Sequence, residues 1–453
     1  MRIIVVGCGK VGQTIVAQLS KENHDISIID TDAGVVMSTT NSYDVMGVVG
    51  SGVSYDVMRE AGIEAADLLI AVTDSDERNL LSCLLAKQVA GCNTIARVRS
   101  PIYGDELRLI RGALGLSMTI NPEFAAAREI ARILRVPSAI KVETFARGRV
   151  ELLKVEIAEH SILDNCALMD VDDKVGADVL VCAVERGESV MIPKGRFVLQ
   201  AGDTISVIMP TENVRQFFNN IGEKSKKIRS AMLLGGGKVS FYLAELLLKT
   251  GIEVKIVETD EERCEELAEM LPGAIVIHGD ATDQNVLLEE GLADIDAVVT
   301  LTGIDEANIF LSLFARSVSD AKIITKVNRL SFDKIIDSFD LGSIIYPKRI
   351  TADNIVRYVR AMQNSYGTNV ETMYNIIENR VEALEFLVRE DADYTDVPLA
   401  ELDIRENVLI AAISRAGETI QPNGQTRIQK GDSVIVVTTE KGANDLGELV
   451  RRK

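Results

Sequence analysis

The chain has no tryptophan, three histidines and nine prolines in 453 residues, and aromatic residues make up only 4% of it. So few histidines leave little material for a histidine-built metal centre or for acid–base chemistry near neutral pH. His24, His160 and His278 share no matching place in the two halves of the sequence, and they read as incidental. No apolar run approaches the roughly 20 residues that cross a bilayer, and Met1-Arg2 passes straight into a strand pattern without a signal-peptide layout. A cytoplasmic chain is expected. Positive charge is also in deficit: 49 lysines and arginines stand against 68 aspartates and glutamates, a net −19. That balance argues against nucleic acid, whose phosphates require a basic face. It also discourages adhesion to a bare anionic membrane, so a membrane role requires a protein partner. Six scattered cysteines (Cys8, Cys83, Cys92, Cys166, Cys182, Cys264) form no C-x-x-C pair and read as buried, reduced thiols.

What the chain has is repetition. Gly7-Cys8-Gly9-Lys10-Val11-Gly12 follows the apolar run Arg2 to Val6, and Gly235-Gly236-Gly237-Lys238-Val239-Ser240 follows Ala231 to Leu234, an offset of 228. Gly50 and Gly279, Gly62 and Gly291, Asp67 and Asp296, Asp76 and Asp305, and Asn79 and Asn308 pair at an offset of 229. Val142-Glu143-Thr144 recurs as Val370-Glu371-Thr372, and Pro193-Lys194-Gly195 as Pro422-Asn423-Gly424. A match this extended marks a tandem duplication.

Within the first copy, apolar runs at 2–6, 26–29, 45–49, 68–72, 94–98 and 117–120 read as six strands. Helical patterns lie near 10–21, 53–61, 75–90, 103–112 and 122–135. Strands alternating with helices imply a parallel sheet covered on both faces, because parallel strands need crossovers. That is a doubly wound α/β lobe. After Val136-Pro137 the pattern shifts to short alternating runs punctuated by Gly, Pro and Asp, the signature of a small α+β lobe. The expected organisation is two Rossmann-like lobes, each followed by a small lobe: 1–137, 138–221, 228–363 and 367–453, with the polar segment 222–227 as the linker between copies.

Each glycine run opens a helix after a strand, where backbone amides and the helix N-terminus hold a phosphate. Gly7 permits the tight turn, Gly9 lets the backbone approach a diphosphate, and Gly12 lets the helix pack closely on the sheet. Asp30 ends the second strand 18 residues beyond Gly12, where a carboxylate accepts hydrogen bonds from ribose hydroxyls and repels a 2′-phosphate, favouring NAD over NADP. Other candidates stand at carboxyl ends of strands, where such sheets bind ligands: Gly50 and Ser51, Thr73 and Asp74, and Arg97 with Arg99 for phosphate charge. Cys8, Lys10 and Val11 complete the first turn. In the second copy Gly235, Gly236, Gly237, Lys238, Val239 and Glu258 repeat the arrangement, with Ser240 in place of the last glycine and Lys326 opposite Arg97. Glu123, beside Pro122, opens a helix. No nucleophile elbow, paired-carboxylate layout or metal-ligand spacing is present, so no catalytic residue and no metal ligand is assigned. The residues themselves leave an NAD-dependent oxidoreductase and a soluble nucleotide sensor open.

Taken together, 2–12, Asp30-Thr31-Asp32, Ala71-Val72-Thr73-Asp74, Ile120-Asn121-Pro122-Glu123, Val142-Glu143-Thr144 and Gly202-Asp203 resemble the tandem RCK-N/RCK-C domain family, regulators of potassium conductance of the kind found in Trk uptake systems. The resemblance covers essentially the full chain. It implies a non-enzymatic cytosolic subunit, peripheral on the inner face of the plasma membrane, that gates a Trk-type potassium-translocating partner. NAD(H), and ATP or ADP, would bind the large lobes and rearrange a homo-oligomeric ring, expected to be a tetramer. It also implies that a carboxylate at the Glu123 position can join a cation site, a role that Lys348 after Pro347 does not repeat in the second copy.

Overall fold

In the computed structural model, each apolar run of the first lobe becomes a strand: β1 (Arg2–Val6), β2 (Asp25–Asp30), β3 (Met46–Val49), β4 (Leu68–Ala71), β5 (Asn93–Arg97) and β6 (Met118–Ile120). The structure describes residues 1–22, 24–100, 103, 112, 114–135, 141–145, 149–187, 189–221, 228–328, 339, 341–364, 370–377, 380–405, 407–440, 443 and 445–452. The strands pair in parallel in the order β3-β2-β1-β4-β5-β6. The order reverses between β1 and β4, which opens a crevice above their carboxyl ends. Central strands buried on both faces need to be apolar throughout, and all four residues of β4 are buried. Ile4, Val6, Leu69 and Ala71 pack in one core with Cys83 and Ala86 of the helix Asp76–Ala90.

One helix was not expected. Ala33–Ser42 fills the crossover from β2 to β3. Gly34 and the β-branched Val35, Val36, Thr39 and Thr40 weaken its propensity. Its start is fixed by the Asp32 carboxylate, which accepts from the Gly34 and Val35 amides. Most of the helical pattern at 103–112, the Val136-Pro137 break and the segment 222–227 lie outside the described residues.

The small lobe holds β7 (Lys141–Phe145), β8 (Val150–Glu156), β9 (Leu180–Arg186), β10 (Ser189–Met191) and β11 (Thr204–Pro210), antiparallel in the order β10-β9-β11-β8-β7. The second copy repeats the parallel sheet with β12 (Ser230–Leu234), β13 (Glu253–Glu258), β14 (Ile275–His278), β15 (Ala297–Thr300), β16 (Lys322–Lys326) and β17 (Ser343–Ile345), in the matching order β14-β13-β12-β15-β16-β17. Its small lobe has β18 (Val370–Ile377), β19 (Val381–Leu387), β20 (Leu402–Ile404), β21 (Val408–Arg415), β22 (Glu418–Ile420), β23 (Ser433–Thr438) and β24 (Val450–Arg452). Five of these pair as β18-β19-β23-β21-β22 and two as β20-β24.

Chain order is not the order of packing. One compact unit combines Met1–Ala131 with Ser230–Val356, and the other combines Arg132–Arg229 with Arg357–Lys453. The two parallel sheets therefore share a unit, as do the two small lobes. In the first unit, Asn121 donates to the Tyr242 hydroxyl at 2.9 Å and that hydroxyl donates to the Arg99 carbonyl at 3.0 Å. Gln18 donates to Asp353 at 2.9 Å. In the second unit, Phe145, Val150 and Ile208 share a core with Val381, Ile435 and Val437. Each small lobe also carries a bidentate fork, Arg186 on Asp203 at 2.6 and 2.7 Å and Arg415 on Asp432 at 2.8 and 2.8 Å.

Candidate functional site

The first glycine turn leaves β1 with Gly7 at φ +94, a left-handed conformation that suits glycine. A Cβ at Gly7 would stand 2.8 Å from the Thr73 amide nitrogen, and one at Gly12 would collide with the Gly7 carbonyl oxygen. Gly9 faces open space, with nothing within 4 Å of such a Cβ, and no side chain caps the helix Lys10–Leu19 that follows. Its first amides are thus presented to the crevice, the arrangement that binds anions. Asp30 organises the turn: one carboxylate oxygen accepts from the Cys8 amide at 2.6 Å and the other from the Asp32 amide at 3.0 Å. Carboxylate oxygens have further lone pairs to offer a ligand hydroxyl. The Cys8 thiol is held neutral. Burial first, and then the Asp30 charge, push its pKa up to about 12.

Above the carboxyl ends of the strands lies a cleft of about 500 Å³, within the range of small-molecule sites. Of the residues singled out in the first copy, Gly7, Gly9, Lys10, Val11, Asp30, Gly50, Ser51, Thr73, Asp74 and Arg97 line it. Cys8 and Gly12 are buried beneath the turn and shape it from behind. The Thr73 loop is fixed by Asn79, whose side chain accepts from the Thr73 amide at 2.8 Å and donates to the Arg97 carbonyl at 2.9 Å. Asn308 makes the same bridge to Thr302 and Lys326 in the second copy, at 2.9 and 3.0 Å. The repeated asparagine is therefore a strut between the ends of two strands.

Cations dominate the side of the cleft beyond β4. The Arg97 guanidinium has a side-chain exposure of 15% and lies 3.9 Å from Glu123. Burial lowers its pKa, an effect that Glu123 opposes. Arg97 Nε and Glu123 Oε2 are both buried without a hydrogen-bond partner, so this pair does not satisfy itself. Arg78 pairs with Asp74 at 2.6 Å. Arg99 is turned to local use, donating to the Asp74 carbonyl and standing 3.6 Å from Asp76.

Sequence reasoning missed several wall residues: Thr31, Gly52, Val53, Arg78, Ser82 and Lys348. Ser82 is fully buried and its hydroxyl has no hydrogen-bond partner; Leu311 occupies its place in the second copy. Lys348 comes from the second copy, at the start of the helix Pro347–Asn364, and donates to the Asn328 carbonyl. No sequence signal marks a residue as crossing from one copy to the other.

The second turn keeps the frame, with Gly237 facing open space and the following helix uncapped, but more side chains engage it. Gly235 repeats the left-handed conformation at φ +106. Glu258, one methylene longer than Asp30, reaches the Gly236 amide at 2.5 Å and the Thr259 and Asp260 amides at 2.7 and 3.0 Å. Burial pushes its pKa up, but these donors outweigh burial and hold it below the ordinary glutamate value. Ser240 is buried and donates to the Gly235 carbonyl, and Arg263 donates to the Gly236 carbonyl at 2.9 Å. Gly237, Lys238 and Val239 lead into the helix Lys238–Lys249. Lys326 donates to the Leu301 carbonyl at 2.9 Å, and burial lowers its pKa.

The TrkA-N domain family matches residues 3–122 and 231–347, and the TrkA-C domain family matches 152–222 and 383–451. This chain belongs to the TrkA family. A Trk system potassium uptake protein TrkA homolog of Archaeoglobus fulgidus is 32% identical over 451 residues, covering 100% of each chain. The Trk system potassium uptake protein TrkA of Haemophilus influenzae is 29% identical, over 97% of this chain and 96% of its own. The GsuK channel bound to NAD has the same fold at a TM-score of 0.63 and 16% identity, covering 97% of this chain and 77% of that one. The cleft described above thus lies in the first TrkA-N copy, and the turn held by Glu258 in the second. All six cysteines of this TrkA-family chain are free and buried, as the sequence led us to expect. Among the described residues no helix is long and apolar enough to cross a membrane.

Proposed function

We propose that the chain is a nucleotide-binding regulatory subunit of a membrane potassium uptake system, and that the first TrkA-N cleft is its main ligand site. The observation that carries this reading is the cleft itself: an open glycine turn, an acid at the ribose position and Arg97 with an unpartnered Nε at the phosphate side, in a chain of this family. Gly7, Gly9, Lys10 and Val11 hold the diphosphate through backbone amides, Asp30 the ribose, and Gly50, Ser51, Thr73 and Asp74 the surrounding wall; Arg97 supplies charge. NAD(H) is the first expected ligand, with ATP and ADP sharing its adenosine diphosphate portion. The turn of Gly235, Gly236, Gly237, Lys238 and Val239 with Glu258 is a weaker second site.

The subunit acts by binding, with no catalytic step. A ligand that prefers one of two arrangements shifts their populations by its differential affinity, which gating requires and chemistry does not. The chain assembles as a homo-oligomeric ring, a tetramer, against the cytoplasmic face of a Trk-type translocating subunit. The test is potassium flux into vesicles carrying that subunit, with and without this chain, at graded NADH and ATP. Nucleotide-dependent flux that requires the chain supports gating. Flux indifferent to the chain, or NADH consumption by the chain with an added small-molecule substrate, refutes it.

A further inference from the structure

In the first small lobe, the segments 166–169 and 194–199 run antiparallel as a short ribbon outside the main sheet. Ala167 bridges Val198, the Leu168 amide donates to the Phe197 carbonyl at 3.0 Å, and the Met169 amide donates to the Gly195 carbonyl at 3.0 Å. Extended chains alternate their faces. Cys166 and Leu199 belong to the core of the lobe, with Leu168 and Phe197 packed against it, so Met169, Arg196 and Val198 take the outward face. Met169 is 67% exposed and Val198 43%, beside the exposed Arg196 and Lys194.

The second small lobe keeps the ribbon and changes that face. Pro398 bridges Arg427, and the Leu399 and Ala400 amides donate to the Thr426 and Gly424 carbonyls, each at 2.9 Å. Leu399 and Ile428 stay in the core. On the outward side, Ala400, Gln425, Arg427 and Asn423 stand where the first lobe has Met169, Arg196, Val198 and Lys194, and Arg427 is turned onto the Asp396 carbonyl. The same ribbon therefore folds without exposed hydrocarbon, so the outward residues of the first lobe are not required by the fold.

Among the described residues, neither the Lys194 nor the Arg196 side chain has an ion pair or a hydrogen bond. A third cation, Arg186, is used internally, forked onto Asp203 and lying 5.0 Å from the centre of the Phe197 ring. Asp170, exposed after Met169, is the acid at the end of the ribbon. A chain of net −19 repels an acidic ligand over most of its surface, and two open cations flanking exposed hydrocarbon are a local exception. Two are too few to hold so acidic a chain on an anionic bilayer.

We propose that this face is a docking surface for an acidic peptide segment of a partner protein, whose carboxylates meet Lys194 and Arg196 and whose apolar side chain covers Met169 and Val198. The surface belongs to the first small lobe alone. It stands apart from the nucleotide cleft and does not depend on it.

The experiment is fluorescence anisotropy of a labelled peptide of Glu-Leu-Glu-Ser repeats with the full chain, beside twin peptides in which Lys replaces Glu or Ser replaces Leu. The acidic peptide should bind, the lysine twin should not, and the leucine-free twin should bind several-fold more weakly. Reversing both charges, Lys194→Glu with Arg196→Glu, should weaken binding about tenfold at low salt, because two attractions become repulsions. High salt should narrow that difference. Met169→Ser with Val198→Ser should weaken it roughly fivefold, for the loss of apolar area to cover. The matching change in the second lobe, Asn423→Glu with Gln425→Glu, should stay within about twofold of the wild type. No binding to the wild type, or equal loss in the two charge variants, overturns the proposal. So does co-sedimentation with phosphatidylglycerol vesicles that the first charge variant abolishes, which gives the face to lipid. A change of oligomeric state in that variant by sedimentation velocity gives the face to a second copy and also overturns it.

Discussion

The two glycine turns share a backbone and differ in how many of its polar groups the protein's own side chains engage. Gly9 and its counterpart Gly237 both face open space, and in the first turn Asp30 spans two amides. In the second, Glu258 spans three, Arg263 covers the Gly236 carbonyl and Ser240 holds the Gly235 carbonyl. The contrast continues below the turn, where buried Ser82 has an unpartnered hydroxyl and Leu311 replaces it with packed hydrocarbon. Duplication has kept the frame of both sites and given the second turn more hydrogen bonds from the protein's own side chains. A motif preserved in its glycines can therefore be preserved as a turn and still change as a site.

The strongest way to break the comparison is Gly7→Val. The left-handed φ and the nearby Thr73 backbone force the turn to move, at a cost on the order of 2 kcal/mol or more. Nucleotide affinity at the main site should fall more than a hundredfold, read by calorimetry, with a lower melting temperature. Gly235→Val should lower the melting temperature while leaving tight binding in place. If Gly235→Val removes tight binding instead, the roles of the two turns are reversed.

Asp30→Ala is the next largest. Losing a charged acceptor for ribose hydroxyls is worth roughly 10- to 100-fold in NADH affinity, whereas Glu258→Ala should change the tight site by less than about twofold. An unchanged NADH affinity in Asp30→Ala would confine that carboxylate to its two backbone amides. Ser82→Leu carries the second copy's residue into the first. Overpacking of a closed wall costs about 1–3 kcal/mol, so the cleft should narrow and affinity should fall about tenfold, and a crystal structure of the variant would show the lost volume.

The smallest effect is a pH dependence. Glu258 has a folded-state pKa below its unfolded value, so its contribution to stability is present above the unfolded value and lost as pH falls through the lower, folded one. Thermal melting of the full chain below the ordinary glutamate range should show a decline that Glu258→Gln makes shallower. An acid limb identical in the two proteins would show that these donors contribute nothing measurable.

Both parallel sheets were legible because buried parallel strands are continuous apolar runs and the glycine turns fix where the first helix begins. The helix Ala33–Ser42 was not, because its β-branched residues and early glycine hide a helix that Asp32 starts and tertiary packing holds. Residues of the first turn were legible from the spacing of Gly7, Gly9, Gly12 and Asp30. Ser82 was not, since a serine in mid-helix has no signature until its hydroxyl is found buried and unpaired. Lys348 was read only as a departure from Glu123. Its place in the first cleft depends on how the copies pack, which no local pattern encodes.

The most direct test of the central claim is calorimetric titration of NADH into the full chain beside its Asp30→Ala and Glu258→Ala variants. A tight site lost in Asp30→Ala and kept in Glu258→Ala is the predicted result. No binding to the wild type, or loss in Glu258→Ala alone, would contradict the assignment of the first TrkA-N cleft as the nucleotide site.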